Sequence, residues 1–354
     1  MNQFFVAIFV VIMALQAHAW GRRGHSIICQ TAAALLANQV QAPVTTSETG
    51  SAFLKKHSFD LGYYCNVPDL IWKKPTTYAV EAPQHFMDLE VFQRAFSKPS
   101  NATLRNPFEL SRAEFEKLFP EIPLSAGRSY WRIRELMTDL DATSVLLREL
   151  PSTANQKMRF ELQEKWLITA GAIGHYVGDL SQPLHVTEDF DGQIENQKGI
   201  HAFFEDQLVD ELSSTNHPGR LEDEVGEISQ AKWKTFSRNK RAELSVLFVV
   251  EGLARDSNEN RSALLKIDKR VGRKDLKKAA LAFEPMIKER LAAGAVALAK
   301  LWARELGWVY DGDKFYNFTA APEYVYPLGS TAPSERAAAV KARAEAPTGQ
   351  TLSP

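Results

Sequence analysis

The sequence predicts an all-α fold built as one multi-helix domain, and three observations predict it. Long stretches repeat apolar residues every three to four positions, few stretches alternate as strands do, and Pro151 and Pro183 fall where two of the periodic runs stop. Taken in order, His25 to Val40 reads as an alanine-rich first helix. Ser129 to Leu150 carries Trp131, Ile133, Leu136, Leu140, Val145 and Leu147 at helical spacing and ends before Pro151. Asn155 to Leu180 is the longest and most apolar candidate, with Trp166, Ile173, Tyr176 and Val177 covering more than one face, as a central helix requires. A further helix starts near Ile200, and Ala231 to Leu253 is amphipathic. Glu284 to Leu306 closes the series, with Ala293 and Gly294 small enough for close helix packing.

Between these runs the signals weaken. Pro99, Pro107, Pro120 and Pro123 divide residues 86–128 into loops and short helices, which reads as an insertion on the domain. Residues 319–354 hold five prolines among Ala, Ser, Thr and charged residues, so a disordered tail is expected. With no internal repeat and no linker, residues 20–318 form a single domain, within the size one core can serve.

Composition removes several function classes. The 354 residues carry 42 Lys+Arg against 43 Asp+Glu, a net charge of -1, so no global field holds a polyanion by counterion release. Two cysteines, Cys29 and Cys65, are too few for a cysteine-ligated zinc site or a dense disulfide framework. Phe4 to Leu15 is an apolar run too short to span a bilayer, and Ala17-His18-Ala19 follows it with small residues at the two positions a signal peptidase inspects. Residues 1–19 therefore read as a signal peptide cut before Trp20, giving a secreted or periplasmic protein with no transmembrane segment in its mature chain.

The densest chemistry lies in Gly174-His175-Tyr176-Val177-Gly178-Asp179-Leu180-Ser181-Gln182-Pro183-Leu184-His185. On a helix His175 and Asp179 project from one face, where both can bind one metal ion. Pro183 ends the helix and can swing His185 back toward the same site. A surface hydrogen-bonded pair has the same spacing, but here the pair sits in an otherwise apolar helix. His201 and Glu205 repeat the geometry, although Asp206 beside them also fits a solvated acidic face. Asp69 and His85 are further candidates in short polar segments, and His25 lies five residues from the expected new amino terminus. Five of the eight histidines fall in these segments, whereas His18, His57 and His217 fit no ligand pattern.

With these motifs together, the chain resembles the superfamily that joins three-zinc single-strand-specific nucleases with zinc-dependent phospholipases C. Trp20-Gly21-x-x-Gly24-His25 is similar to the mature start of the nuclease branch, and Gly178-Asp179-x-x-Gln182-Pro183-Leu184-His185 to its central motif. Arg290-Leu291-Ala292-x-Gly294 is similar to its final helix, so the matches span Trp20 to about Trp302. The resemblance implies that Asp69, His85, His175 and Asp179 hold a first zinc and His185, His201 and Glu205 a second. It further implies that Trp20, through its amine and carbonyl, holds a third with His25 and the second oxygen of Asp179. The implied activity is phosphodiester hydrolysis by a zinc-activated water, with Asp69 orienting the water.

The two branches differ around the metals. The Trp20 start and the Gln182-Pro183-Leu184-His185 string favour an endonuclease on single-stranded DNA or RNA. Glu205, where the nuclease pattern has Asp, and the short His185 to His201 separation favour a phospholipase C. An Arg three residues after the first aspartate is replaced by Trp72, followed by Lys73 and Lys74, which become the candidates for gripping substrate phosphate without a bidentate fork. Phe86, Phe190, Phe203 and Phe204 can stack a base or receive lipid, or simply pack the core. A secreted zinc-binding protein without turnover is the third reading. Cys29 and Cys65 both fall close in sequence to ligand candidates, where either a disulfide or two buried thiols would serve.

Overall fold

The computed structural model describes residues 20–37, 48–98, 106–151, 155–214, 220–236 and 245–303. The expected signal peptide and disordered tail, and the tract before Trp20 altogether, lie outside them. Among the described residues the chain is all-helical, with no strand and one isolated antiparallel bridge, Met87 to Gly127. None of its helices is long and apolar enough to cross a membrane.

Two long helices form the centre. Helix α8 (Gln156–Ser181) begins at Asn155, whose side chain accepts from the Lys157 amide, and every residue from Thr169 to Ser181 is buried. Helix α13 (Leu276–Ala303) crosses it, and Gly294 makes the crossing close: a Cβ there would sit 2.9 Å from Ser181 Oγ. Around this pair pack α1 (Gly21–Ala37), α7 (Ser129–Glu149) and α12 (Val246–Val271). The smaller α2 (Glu48–Lys56) and α3 (Ser58–Tyr64) pack on α1, and α3 also meets α8. Trp72, Trp131, Trp166 and Trp302 are fully buried, and the Trp166 indole donates to Ser144 Oγ at 3.0 Å, so α7 and α8 are pinned by a polar bond within the apolar core.

Residues 86–128 do form short elements: α5 (Leu89–Phe96), a turn at Pro107–Glu109, α6 (Arg112–Leu118) and a turn at Leu124–Ala126. They enclose their own aromatic nucleus, in which Phe115 packs tilted against Trp131 of α7 at 4.0 Å and stacks on Phe119 at 5.3 Å. Gly127 closes this segment at φ +86, where a side chain would strike the Phe86 carbonyl.

Several expected boundaries shift. Ala231 to Leu253 is not one helix: Ala231 ends within α11 (Arg220–Thr235), Phe236 leaves the helix, and Ser245 caps α12, which runs on to Val271. Helix α13 starts eight residues before Glu284 and, at 28 residues, exceeds α8 at 26. The helix expected from Ile200 is broken into α9 (Ile200–Ala202), a π-helical turn at Phe203–Gln207 and α10 (Leu208–Leu212). Short α4 (Tyr78–Glu81), α2, α3 and the π-helical turn Pro68–Trp72 have no counterpart in the periodicity.

Candidate metal centre

The eight His and carboxylate candidates converge as three buried groups: His25, His175 and Asp179; Asp69, His85 and His175; and His185, His201 and Glu205. His25 comes from α1, His175 and Asp179 from α8, and His185 from the turn Pro183–Val186 that Pro183 starts. Asp69 and Glu205 both ride on π-helical turns, in which the Lys73 amide reaches the Pro68 carbonyl and the Leu208 amide that of Phe203. The widened turn pushes each carboxylate inward, a common use of such turns at functional sites.

Asp179 is the hub. Its Oδ1 lies 3.3 Å from His25 Nε2, and its Oδ2 lies 3.0 Å from His85 Nδ1 and 3.5 Å from His175 Nε2. His25 and His175 stack at 4.0 Å. Asp69 closes the group, with Oδ1 3.6 Å from His85 Nδ1 and Oδ2 3.8 Å from His175 Nε2. In the second cluster Glu205 Oε2 lies 3.0 Å from His201 Nε2 and 3.6 Å from His185 Nε2, and accepts from Gln182 at 2.9 Å.

The ring orientations test whether cations fit. His175 Nδ1 bonds the Cys65 carbonyl at 2.8 Å, His185 Nδ1 that of His85 at 2.7 Å, and His201 Nδ1 that of Phe190 at 2.6 Å. A carbonyl only accepts, so each Nδ1 holds its proton and each Nε2 offers a lone pair to the interior. His185 Nε2 and His201 Nε2 then face one another at 2.9 Å, a contact that repels unless a proton or cation lies between them. Asp179 Oδ1, Glu205 Oε1 and both ring nitrogens of His25 are buried without a hydrogen bond. Orphaned donor atoms, converging lone pairs and fixed tautomers are what a metal centre requires, so the residues fit the ions.

The metal-free charges follow the same geometry. Burial opposes the charge on Asp179, but His175, His25 and His85 outweigh it and hold the carboxyl well below the usual carboxylate range. Burial and Lys73 oppose a proton on His85, yet Asp179, Glu81 and Asp69 push its pKa up to about 9. Burial also works against a charged His201, and Glu205 raises it nonetheless, while the same pairing lowers Glu205. Burial drives His175 well below its ordinary value.

Trp20 is fully buried at the edge of this centre, with a left-handed φ of 48°, its indole donating to Ser181 Oγ at 2.9 Å and its carbonyl accepting the Gly24 amide at 3.0 Å. It lines an open cleft of about 670 Å³ together with Asp69, Glu205, Arg23, Phe59 and Tyr63. Phe59 is 79% exposed and Tyr63 52%, one turn apart on α3. Lys73 turns into the centre, 3.2 Å from Asp69 Oδ1, and Asp69 and Asp179 raise its pKa against the effect of burial. Lys74 faces solvent, and neither lysine is among the residues lining the cleft.

Gly174 and Gly178 make room for side chains rather than backbone: a Cβ on Gly174 would lie 2.2 Å from Cys29 Sγ, and one on Gly178 2.8 Å from His25 Nδ1. Cys29 and Cys65 are buried free thiols, adjacent enough for a hydrogen bond between them. His57 belongs elsewhere, paired with Asp60 at 2.6 Å and tilted against Phe53. Sequence reasoning overlooked Glu81, fully buried with Oε1 3.3 Å from His85 Nε2, although its four-residue spacing from His85 repeats the pattern of the other pairs. No protein-family model and no curated protein matches this chain.

Proposed function

We propose that the chain is a secreted, three-zinc phosphodiester hydrolase of the nuclease and phospholipase C superfamily, acting on single-stranded nucleic acid. The observation that carries the reading is the convergence of five imidazoles and three carboxylates on three buried groups, two of which share His175, with Asp69 and Glu205 reaching the wall of an open cleft. Bound there, zinc supplies Lewis acidity toward phosphoryl oxygens and makes water acidic enough to act as a nucleophile near neutral pH. Asp69, His85, His175 and Asp179 would hold one ion, His25, Asp179 and Trp20 a second, and His185, His201 and Glu205 the third. Asp69 borders both cleft and centre, which suits it to orient the attacking water and accept its proton. Lys73 Nζ pairs with Asp69 Oδ1 at 3.2 Å.

The substrate assignment draws on the cleft wall. Phe59 and Tyr63 present two rings to solvent beside the centre, a platform on which successive bases can stack whatever their sequence, at about 1–3 kcal/mol per base. Arg23 lies on the same wall, ion-paired with Glu222 at 3.3 Å. Phospholipase C is the second reading, favoured by Glu205 and by the exposed apolar Phe190 and Ile194 in the His185 to His201 connection. One experiment separates these: zinc-loaded protein beginning at Trp20 is offered single-stranded DNA and phosphatidylcholine micelles in parallel, with His175→Ala as control. DNA cleavage lost in the control is expected. Lipid cleavage alone overturns the nuclease assignment, and inactivity on both with full zinc content overturns the hydrolase.

A further inference from the structure

His85 is the odd member of the histidine set. His175, His185 and His201 turn Nε2 to the interior and tie Nδ1 to a main-chain carbonyl. His85 does the reverse: its Nδ1 lies 2.9 Å from His175 Nε2 and 3.0 Å from Asp179 Oδ2, so its Nε2 points out of the centre. For Nδ1 to offer a lone pair, Nε2 must carry the ring proton, and a buried N–H requires an acceptor. Glu81 Oε1 stands nearest, at the ion-pair distance of 3.3 Å, although the two atoms are not aligned as a hydrogen bond in the metal-free chain.

Glu81 is itself held on two sides. Its Oε1 accepts the Tyr176 hydroxyl, and its Oε2 lies 3.8 Å from Arg132 Nη2. Arg132 is fully buried, its guanidinium over the rings of Trp72 at 5.6 Å and Tyr176 at 5.5 Å, with Nε donating to the Tyr176 oxygen at 3.4 Å. Removing both charges of such a pair from water is costly, and well-packed apolar residues commonly serve stability as well or better. The pair is better explained by what it does to the imidazole beside it.

We propose that Glu81, held by Arg132 and Tyr176, is a positioning residue that selects the His85 tautomer and aims Nδ1 at the metal centre. His175, His185 and His201 take their orientation from neutral carbonyls, whereas His85 takes it from a carboxylate, which also makes it the more basic ligand. Arg132 offsets the charge this requires, and Tyr176, next to His175 on α8, ties the network to the helix that carries the hub.

The inference rests on the reading of the three groups as a metal centre, and the test separates the two. Zinc retained per chain is measured across a chelator series, and the d–d spectrum of the cobalt-substituted protein is recorded, for the wild type, Glu81→Ala and Glu81→Gln. Glu81→Ala is expected to weaken one cation about ten- to a hundredfold and shift the spectrum, while the cation at His185, His201 and Glu205 keeps its affinity. Glu81→Gln preserves volume and fold, and is expected to weaken the same cation about tenfold. A wild-type affinity and spectrum in both variants, even with a lower Tm, would mean that Glu81 is merely structural and overturns the proposal. A wild type that binds no zinc or cobalt overturns the metal reading itself.

Discussion

Gly178→Ala tests whether the packing of α1 on α8 sets the metal geometry. A Cβ at this position would lie 2.8 Å from His25 Nδ1, 3.1 Å from its Cε1 and 3.2 Å from Ile28 Cδ1. Reaching even the near edge of ordinary contact at 3.4 Å moves the imidazole by about 0.6 Å. Metal–ligand distances tolerate about 0.2 Å, so the move takes His25 out of reach of a cation shared with Asp179. Stability hardly registers the change. Alanine in place of a helical glycine returns about 1 kcal/mol of propensity, and overpacking costs about 1–3 kcal/mol, leaving a net loss of about 0–2 kcal/mol. The expected result is a metal-free protein that melts within a few degrees of the wild type and a loaded protein with one zinc fewer. Zinc is counted by mass spectrometry after dialysis against a weak chelator, beside His25→Ala, which should lose the same ion. Three zinc ions retained by Gly178→Ala at the wild-type chelator midpoint refute the reasoning, because the ligand would then be indifferent to the displacement of its ring.

Two further outcomes follow from groups outside the centre. Arg273 donates to Asp268 through Nε and Nη2, both at 2.8 Å, and to the Lys198 carbonyl at 2.9 Å, clamping the connection that leads into His201. Arg273→Ala is expected to cost about 2 kcal/mol, since the nearly buried Asp268 loses its counter-ion, and to weaken the zinc held by His201; urea unfolding and zinc retention measure the two effects, and an unchanged zinc affinity rules out the clamp as a support for the site. Asp88 supplies the pH dependence. Burial first, then Glu90 and Glu188, push its carboxyl up to about 7, so the folded chain keeps a proton that the unfolded chain sheds near its ordinary value of 3.8. The penalty is therefore absent below about pH 4, grows as pH rises through 7 and is complete above it. Discounted for its partial exposure, it is about 1–2 kcal/mol. Asp88→Asn should be more stable than the wild type by that amount at pH 8 and no different at pH 4, and equal denaturant midpoints at both pH values contradict the assignment.

How much of this was legible in the sequence depends on how local each feature is. His175 with Asp179 and His201 with Glu205 were readable because a helix turns a four-residue spacing into a shared face, and the α8 and α7 boundaries because Asn155, Pro151 and Pro183 mark them. Glu81 shares that spacing with His85 and escaped, since α4 is a single four-residue turn in a tract with no periodicity to announce a helix. The π-helical turns under Asp69 and Glu205 escaped for a related reason: one widened turn carries no propensity signal and is selected by what surrounds it. Amphipathicity misled at Ala231 to Leu253, because the ends of two different helices each show an apolar face to the same core and their stripes run together when read as one.

The tautomers lie deeper still. Which nitrogen His175, His185 and His201 offer is decided by the Cys65, His85 and Phe190 carbonyls, and a carbonyl is present at every residue whatever its side chain. Ligand identity can therefore be read from residue types and spacing, but ligand orientation cannot, except where a side chain does the orienting. Glu81 is such a place, which makes it the point in this centre where a substitution can alter the direction of a ligand without removing the ligand itself.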